Sequence, residues 1–203
     1  VACNFEIDEN VAKEITKHFF EVIVAPSYKE EALKVFAQKK NLRVLKYREE
    51  LPENPFEIRS LRRGVLIQSF NNILFDNYEV KTSAKPTEKD MEELIFALKV
   101  VKHVKSNAIV VSKDKQTLGI GAGQMNRVNA VKIALEQAGG RAKGAYLASD
   151  AFFPFPDSIE LAAKYGIKAI IQPGGSIRDN EVIEAAEKNN IILVMISSRH
   201  FRH

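Results

Sequence analysis

The sequence has one cysteine in 203 residues. Cys3 therefore has no internal partner, which excludes a disulfide-stapled scaffold and points to a reducing compartment, with the cytoplasm expected. No apolar run approaches the roughly 18 residues that a membrane helix requires. No basic-then-apolar leader of the secretory type opens the chain. The first residue is Val1 rather than methionine, so the chain reads as a piece of a longer polypeptide. Metal-ligating residues are also sparse. The four histidines are His18, His103, His200 and His203, and no pair shows zinc spacing with a third ligand. A zinc deaminase needs a His/Cys/Cys set with a Glu, which one cysteine cannot supply. No G-x-S-x-G elbow and no H-E-x-x-H helix occurs.

Charge of one sign is barely in surplus. Lys plus Arg is 30 and Asp plus Glu is 26, a net charge of +4. A nucleic-acid binder gathers its cations on one face or stripe. Here Lys39-Lys40 reads as a solvated helix end, and Arg59 with Arg62-Arg63 reads as a turn before a strand. The third basic cluster, Arg199 to Arg202, follows a buried-looking strand and is rich in anion-binding groups for an idle segment. No nucleic-acid partner, membrane or metal is expected. Hydrophobic residues at 45% and charged residues at 28% are ordinary globular values. They exclude wholesale disorder, and the length suits one large domain or two small ones.

The apolar pattern predicts strands at Val22 to Ala25, Leu42 to Leu45 and Gly64 to Gln68, and a helix over Tyr28 to Lys39. Leu51 to Glu57 holds two prolines and reads as a loop. Tyr78 to Thr82 has edge-strand character. Thr87, with Asp90 three residues on, opens a long helix in a near capping box. Ala108 to Val111 and Thr117 to Ile120 read as a hairpin turning at Lys113 to Gln116. A helix from about Gln124 to Ala138 follows. Gly144 to Ala148, Lys168 to Ile171 and Ile191 to Ile196 read as strands, with helices at Asp157 to Tyr165 and Asp179 to Lys188. Alternating strands and helices predict an α/β layered fold with some antiparallel pairing. A soft boundary lies near Thr82 to Pro86.

Four loops stand out, because ligands in such folds gather beyond the strand ends. Asn107, before a buried strand, serves either as a turn residue or as an amide that selects a matching carboxamide. Gly119 to Arg127 is a glycine-rich turn into a helix that lacks both the Walker and the Rossmann spacing. Arg127 sits in a first helical turn, where the macrodipole disfavours a cation, so it calls for an anionic or polar partner. Phe152 to Asp157 joins three aromatics and two prolines, suited either to the core or to a flat heterocycle, with Asp157 as an acceptor. Gly174-Gly175-Ser176 precedes a helix and offers backbone donors to an anion, or is a plain loop.

Ser106 to Val110, Gly119 to Gln124, Ala148 to Phe155, Ile171 to Asp179 and the ending Arg199 to His203 together resemble the C-terminal part of the bifunctional purine biosynthesis family. That family joins AICAR transformylase to IMP cyclohydrolase. The resemblance extends to Ile23-Val24-Ala25-Pro26 and so covers nearly the whole chain. It implies a zinc-free, cytidine deaminase-like layered fold (a mixed sheet flanked by helices). Residues 1–85 would be a connecting part and residues 86–203 a half-domain of the transformylase. It implies formyl transfer from 10-formyltetrahydrofolate to AICAR, and a homodimer with its active site at the interface. Asn107, Arg127, Phe152, Arg199 and Glu21 match AICAR-contacting positions. Val128, Asp157, Ser176 and Ile177 match folate-contacting positions, with Pro154 and Phe155 close by. His203 matches a histidine near the catalytic centre. Glu21 replaces an Asp of relatives, and Pro156 stands where many have Arg. The family's catalytic Lys-His pair has no counterpart here, since Lys102-His103 reads as part of the long helix. The competing reading is a non-catalytic module that binds a purine nucleotide or folate, or that dimerises.

Overall fold

Strands whose odd and even residues are both apolar need a core on each face of their sheet. The computed structural model, which describes residues 1–47 and 56–202, has that arrangement in its larger part. The chain divides into two compact units, Val1–Phe70 and Asn71–His203.

In the first unit, α1 (Glu9–Ile15) starts at Asp8, whose carboxylate accepts from the Val11 N–H at 3.0 Å. Such a cap satisfies one of the donors that a helix start leaves free. β1 (Val22–Ala25) and β2 (Arg43–Lys46) pair in parallel, joined by α2 (Glu30–Phe36). Ile7, Ala12, Ile23, Ala25, Ala32 and Phe36 form the core. β3 (Phe56–Leu61) and β4 (Gly64–Ser69) make a two-stranded hairpin. Its register puts Phe56, Ile58, Val65 and Ile67 on one face, each 50–64% exposed. The sequence reading starts at Val22 and omits α1, a seven-residue helix too short for a clear period. The expected Leu51 to Glu57 loop lies largely outside the described residues, and from Phe56 the chain is strand.

In the second unit, β5 (Tyr78–Val80), β6 (Ile109–Lys113), β7 (Gln116–Gly121), β8 (Tyr146–Ser149), β9 (Ala169–Pro173) and β10 (Ile192–Ile196) form one sheet in the order β5-β10-β9-β8-β6-β7. β8, β9 and β10 run parallel, and β5, β6 and β7 pair antiparallel. Ile109, Val111, Leu147, Ile170 and Leu193 face α4 (Arg127–Ala138), α5 (Asp157–Lys164) and α6 (Asp179–Lys188). Val110, Ala148, Ile171 and Val194 face α3 (Glu88–Val101). Each fully buried branched side chain contributes about 1.5–3 kcal/mol. The fold is thus α/β, with a mixed sheet between helical layers. The units divide at Phe70–Asn71 rather than near Thr82 to Pro86, because β5 pairs with β10 and so belongs to the larger sheet.

Two local devices fix this packing. A Cβ on Gly119 would fall on the Ala134 carbonyl oxygen, and one on Gly121 on that of Ala130. These glycines let α4 lie directly against β7. The second device is Asp90, 2% exposed. It completes the capping box with Thr87 and accepts from Tyr146 Oη and Lys168 Nζ, each at 2.6 Å. It therefore ties α3 to the sheet. Burial pushes the Asp90 carboxyl up, but the bonds from Lys168, Tyr146 and Thr87 outweigh it and hold the group well below 3.8.

Gly121→Ala is expected to destabilise the protein by about 1–3 kcal/mol in urea denaturation, as an overpacked contact does. Gly140→Ala, where nothing lies within 4 Å, is the near-neutral control. Equal midpoints for the two variants would refute the packing role. A carboxyl whose folded pKa is depressed contributes stability above its ordinary 3.8 and loses it as pH falls further. Asp90→Asn should flatten the loss of stability below about pH 4, measured by thermal melts across pH.

Candidate functional site

The sheet register gathers the unusual loops. Ile109, at the start of β6, pairs with Gly121 at the end of β7 and Ser149 at the end of β8. Pro173 and Ile196 close β9 and β10 side by side. The segments around Asn107, Gly123, Phe152, Ser176 and Arg199 therefore all leave the same end of the sheet.

Asp150 joins them. It is fully buried, and three donors converge on its carboxylate. Ser106 Oγ donates to Oδ2 at 2.5 Å, and the Ala108 N–H and Arg127 Nη1 donate to Oδ1 at 3.1 and 2.5 Å. Arg127, 7% exposed, also donates from Nη1 to Ser149 Oγ and from Nη2 to Asn107 Oδ1, at 2.9 and 2.8 Å. Asn107 Nδ2 in turn donates to the Gln124 carbonyl at 2.8 Å. Arg127 is the first residue of α4, behind the Asn126 cap. The partner that its helix position calls for is thus Asp150. Among the described residues, three of its five N–H donors are engaged, leaving Nε–H and one hydrogen on Nη2. Asn107 keeps one amide hydrogen and one lone pair. Two loops thus present a fixed donor and acceptor set of the kind that recognises a carboxamide.

The aromatic loop splits by function. Phe153 is fully buried, and its N–H donates to Gln172 Oε1 at 3.0 Å. Phe152 lies half-buried under the Arg199 guanidinium, 4.9 Å from the ring centre. Phe155, exposed, lies under Arg178 at 4.8 Å. Such stacking fixes two cations at the rim. The segment after β10 is bound in. The His200 N–H donates to the Asp150 carbonyl at 2.9 Å, the Arg202 N–H to Ser106 Oγ at 2.9 Å, and the Ser106 N–H to the Arg202 carbonyl at 2.8 Å.

Other expected residues lie on these loops without joining the cluster. Asp157 turns back onto the Ser158 N–H at 2.7 Å. Ser176 Oγ accepts from the Arg178 N–H, and Ile177 is fully exposed. Val128 and Pro154 are half-buried. The Gly-Gly-Ser turn offers fewer donors than its composition implies, since the Gly175 N–H is taken by Asp179 and the Gly174 N–H by Ile196. Glu21 belongs to the first unit, where it lines a cavity of about 660 Å³ with Lys39, Lys40 and Arg43. His203 lies outside the described residues. Lys102 is the C-cap of α3 and His103 follows it, so that pair lies just beyond the helix rather than within it. Asp150, Ser106 and His200 are absent from the sequence-level site. Only the misplaced charge of Arg127 signalled the first of them.

Among the described residues, no group of three or more His, Cys, Asp or Glu is placed to hold a metal ion, and no helix is long and apolar enough to cross a membrane. Asp150→Asn leaves the Arg127 guanidinium buried without its counter-charge. The expected loss is about 3–5 kcal/mol of unfolding free energy, measured by denaturant titration. A loss near zero would show that the pair is solvated.

Residues 1–137 match the family described as AICARFT/IMPCHase bienzyme. The chain is 52% identical over 208 aligned positions to the bifunctional purine biosynthesis protein PurH of Acetivibrio thermocellus, and 55% over 205 to that of Listeria monocytogenes serotype 4b. Each alignment covers all of this chain and 40% of the relative's length. Among solved structures, RibD of Acinetobacter baumannii (form 2) matches 51% of this chain and 32% of its own at 20% identity, with a TM-score of 0.34, too slight a likeness to bear on the fold. The identity to two PurH proteins over its full length, with the family match across two thirds of it, makes this chain a member of the AICARFT/IMPCHase bienzyme family.

Proposed function

We propose that this chain is the gripping part of an AICAR transformylase. It would hold AICAR and 10-formyltetrahydrofolate while a formyl group passes to the AICAR amine in the synthesis of IMP. The reading is carried by the Asn107–Arg127–Asp150 chain of hydrogen bonds, with Arg199 stacked on Phe152 beside it on a segment that His200 ties to the Asp150 carbonyl.

The amine of AICAR is a poor nucleophile, because its lone pair is delocalised into the imidazole. Orientation beside the formyl carbon and removal of its proton must therefore supply much of the rate. A tetrahedral intermediate needs a donor at the formyl oxygen. In this reading Asn107 and Arg127 orient the carboxamide. Arg127 is braced by Asp150, and Asn107 by Arg127 and the Gln124 carbonyl, so little reorganisation accompanies binding. Arg199, stacked on Phe152, faces an anionic group, where a charge-assisted bond is stronger than a neutral one. Val128, Pro154, Phe155, Asp157, Ser176 and Ile177 line the folate side, with the aromatic loop against the pterin. Glu21, in the first unit, would be a separate nucleotide contact that the family resemblance alone implies. For His203 the reading rests on the family resemblance alone, which implies a role at the catalytic centre. Proton handling falls to the family's catalytic Lys-His pair, a role that this reading does not assign to Lys102-His103. A cytidine deaminase-like form of the layered fold, a homodimer with a shared active site, and a cytoplasmic location belong to the same reading. So does the inactivity of this segment alone.

The test is steady-state formyl transfer by the full-length protein. Asn107→Ala removes one hydrogen bond to the carboxamide and is expected to raise the AICAR KM, or lower turnover, by about 2- to 10-fold. Unchanged kcat and KM would refute the role of Asn107.

A further inference from the structure

Residues 197–202, after β10, have no regular structure, yet His200 among them is fully buried. A buried imidazole is costly unless its nitrogens are matched. Here both are. Nε2 lies 2.8 Å from the Leu74 carbonyl oxygen, so it carries the hydrogen. Nδ1 is then the acceptor, and Asn71 Nδ2 donates to it at 3.1 Å. The backbone N–H of the same residue donates to the Asp150 carbonyl. One residue thus ties this segment to the strip before β5 and to the residue that holds Arg127. On one side of it Arg199 lies over Phe152, and two residues on Arg202 is bonded to Ser106. Unstructured segments fray unless tied down.

We infer that His200 is a positioning residue, whose side chain fastens residues 197–202 to Asn71 and Leu74 and so holds the Arg199 guanidinium where the nucleotide is expected. The inference rests on the functional reading above for what Arg199 meets, but not for the fastening itself. Only the neutral ring serves both partners, because a proton on Nδ1 would point at a donor. Burial is the main force opposing that proton. Lys102 opposes it further, while the Leu74 carbonyl and Asp150 favour it, and the group is held below 6.5. The fastening is therefore complete above pH 6.5 and weakens as pH falls below it.

The experiment uses the full-length protein with His200→Ala, His200→Gln and Arg199→Ala. Gln keeps a donor toward Leu74 and cannot titrate. Amide exchange across residues 197–202 is followed by mass spectrometry without ligand, and AICAR affinity by calorimetry, both at about pH 7.5 and 5.5. His200→Ala should raise exchange at least tenfold. It should weaken AICAR about as much as Arg199→Ala, roughly tenfold, and the double variant should be no weaker than either alone. His200→Gln should retain protection, bind within about threefold of wild type, and lose less affinity at pH 5.5 than wild type does. Equal exchange in wild type and His200→Ala overturns the fastening. Additive losses in the double variant overturn the link to Arg199. If the wild type fails to bind AICAR, the functional reading falls, and the exchange comparison alone decides whether His200 fastens the segment.

Discussion

The Arg127–Asp150 pair is the constraint on which the site depends. Two charges removed from water are stable only if their remaining hydrogen-bonding capacity is met. Asp150 meets this condition through Ser106 and the Ala108 N–H, and Arg127 through Ser149 and Asn107. Satisfying the pair therefore determines where three separate segments lie, those of residues 106–108, 127 and 149–150. A guanidinium held in this way has a fixed direction, and direction is what recognition of a planar amide requires.

The pair can form only because the sheet brings its members to one end. β6 runs against β7 and β8, so the residues before it meet the residues after both neighbours. α4 can start at Arg127, close under β7, because Gly119 and Gly121 leave no Cβ to collide with its backbone. Fold and site are thus linked: the packing that seats α4 also aims Arg127 at Asp150. On the opposite face Asp90 fixes α3 with the same device, a buried carboxylate whose acceptors are filled.

Much of this was legible in the sequence. The capping box at Thr87 and Asp90, the edge strand at Tyr78 and the β6–β7 hairpin follow from local chemistry, and all three are present. The two-residue turn of that hairpin uses Asp114 and Lys115 at positive φ without glycine, a conformation propensity does not announce. β3 was hidden because Phe56 follows Pro55 and because Arg59, with Arg62-Arg63 just beyond the strand, resembles a turn. The glycine-rich run pointed to a ligand, yet two of its glycines serve helix packing. Gly-Gly-Ser suggested free donors, but Asp179, four residues on, fills one of them. Single-position chemistry was readable where partners are local. It failed where the partner lies on a distant segment, as for His200 with Leu74 and Asn71.

The proposed function reduces to one claim: these residues would clasp a purine nucleotide precursor through a braced Asn–Arg pair. The most direct measurement is a crystal structure of the full-length protein with AICAR bound. The account predicts the carboxamide within hydrogen-bond reach of Asn107 and Arg127, with Arg127 still bonded to Asp150. A nucleotide seated away from this end of the sheet, with the Asp150 cluster untouched, would contradict it.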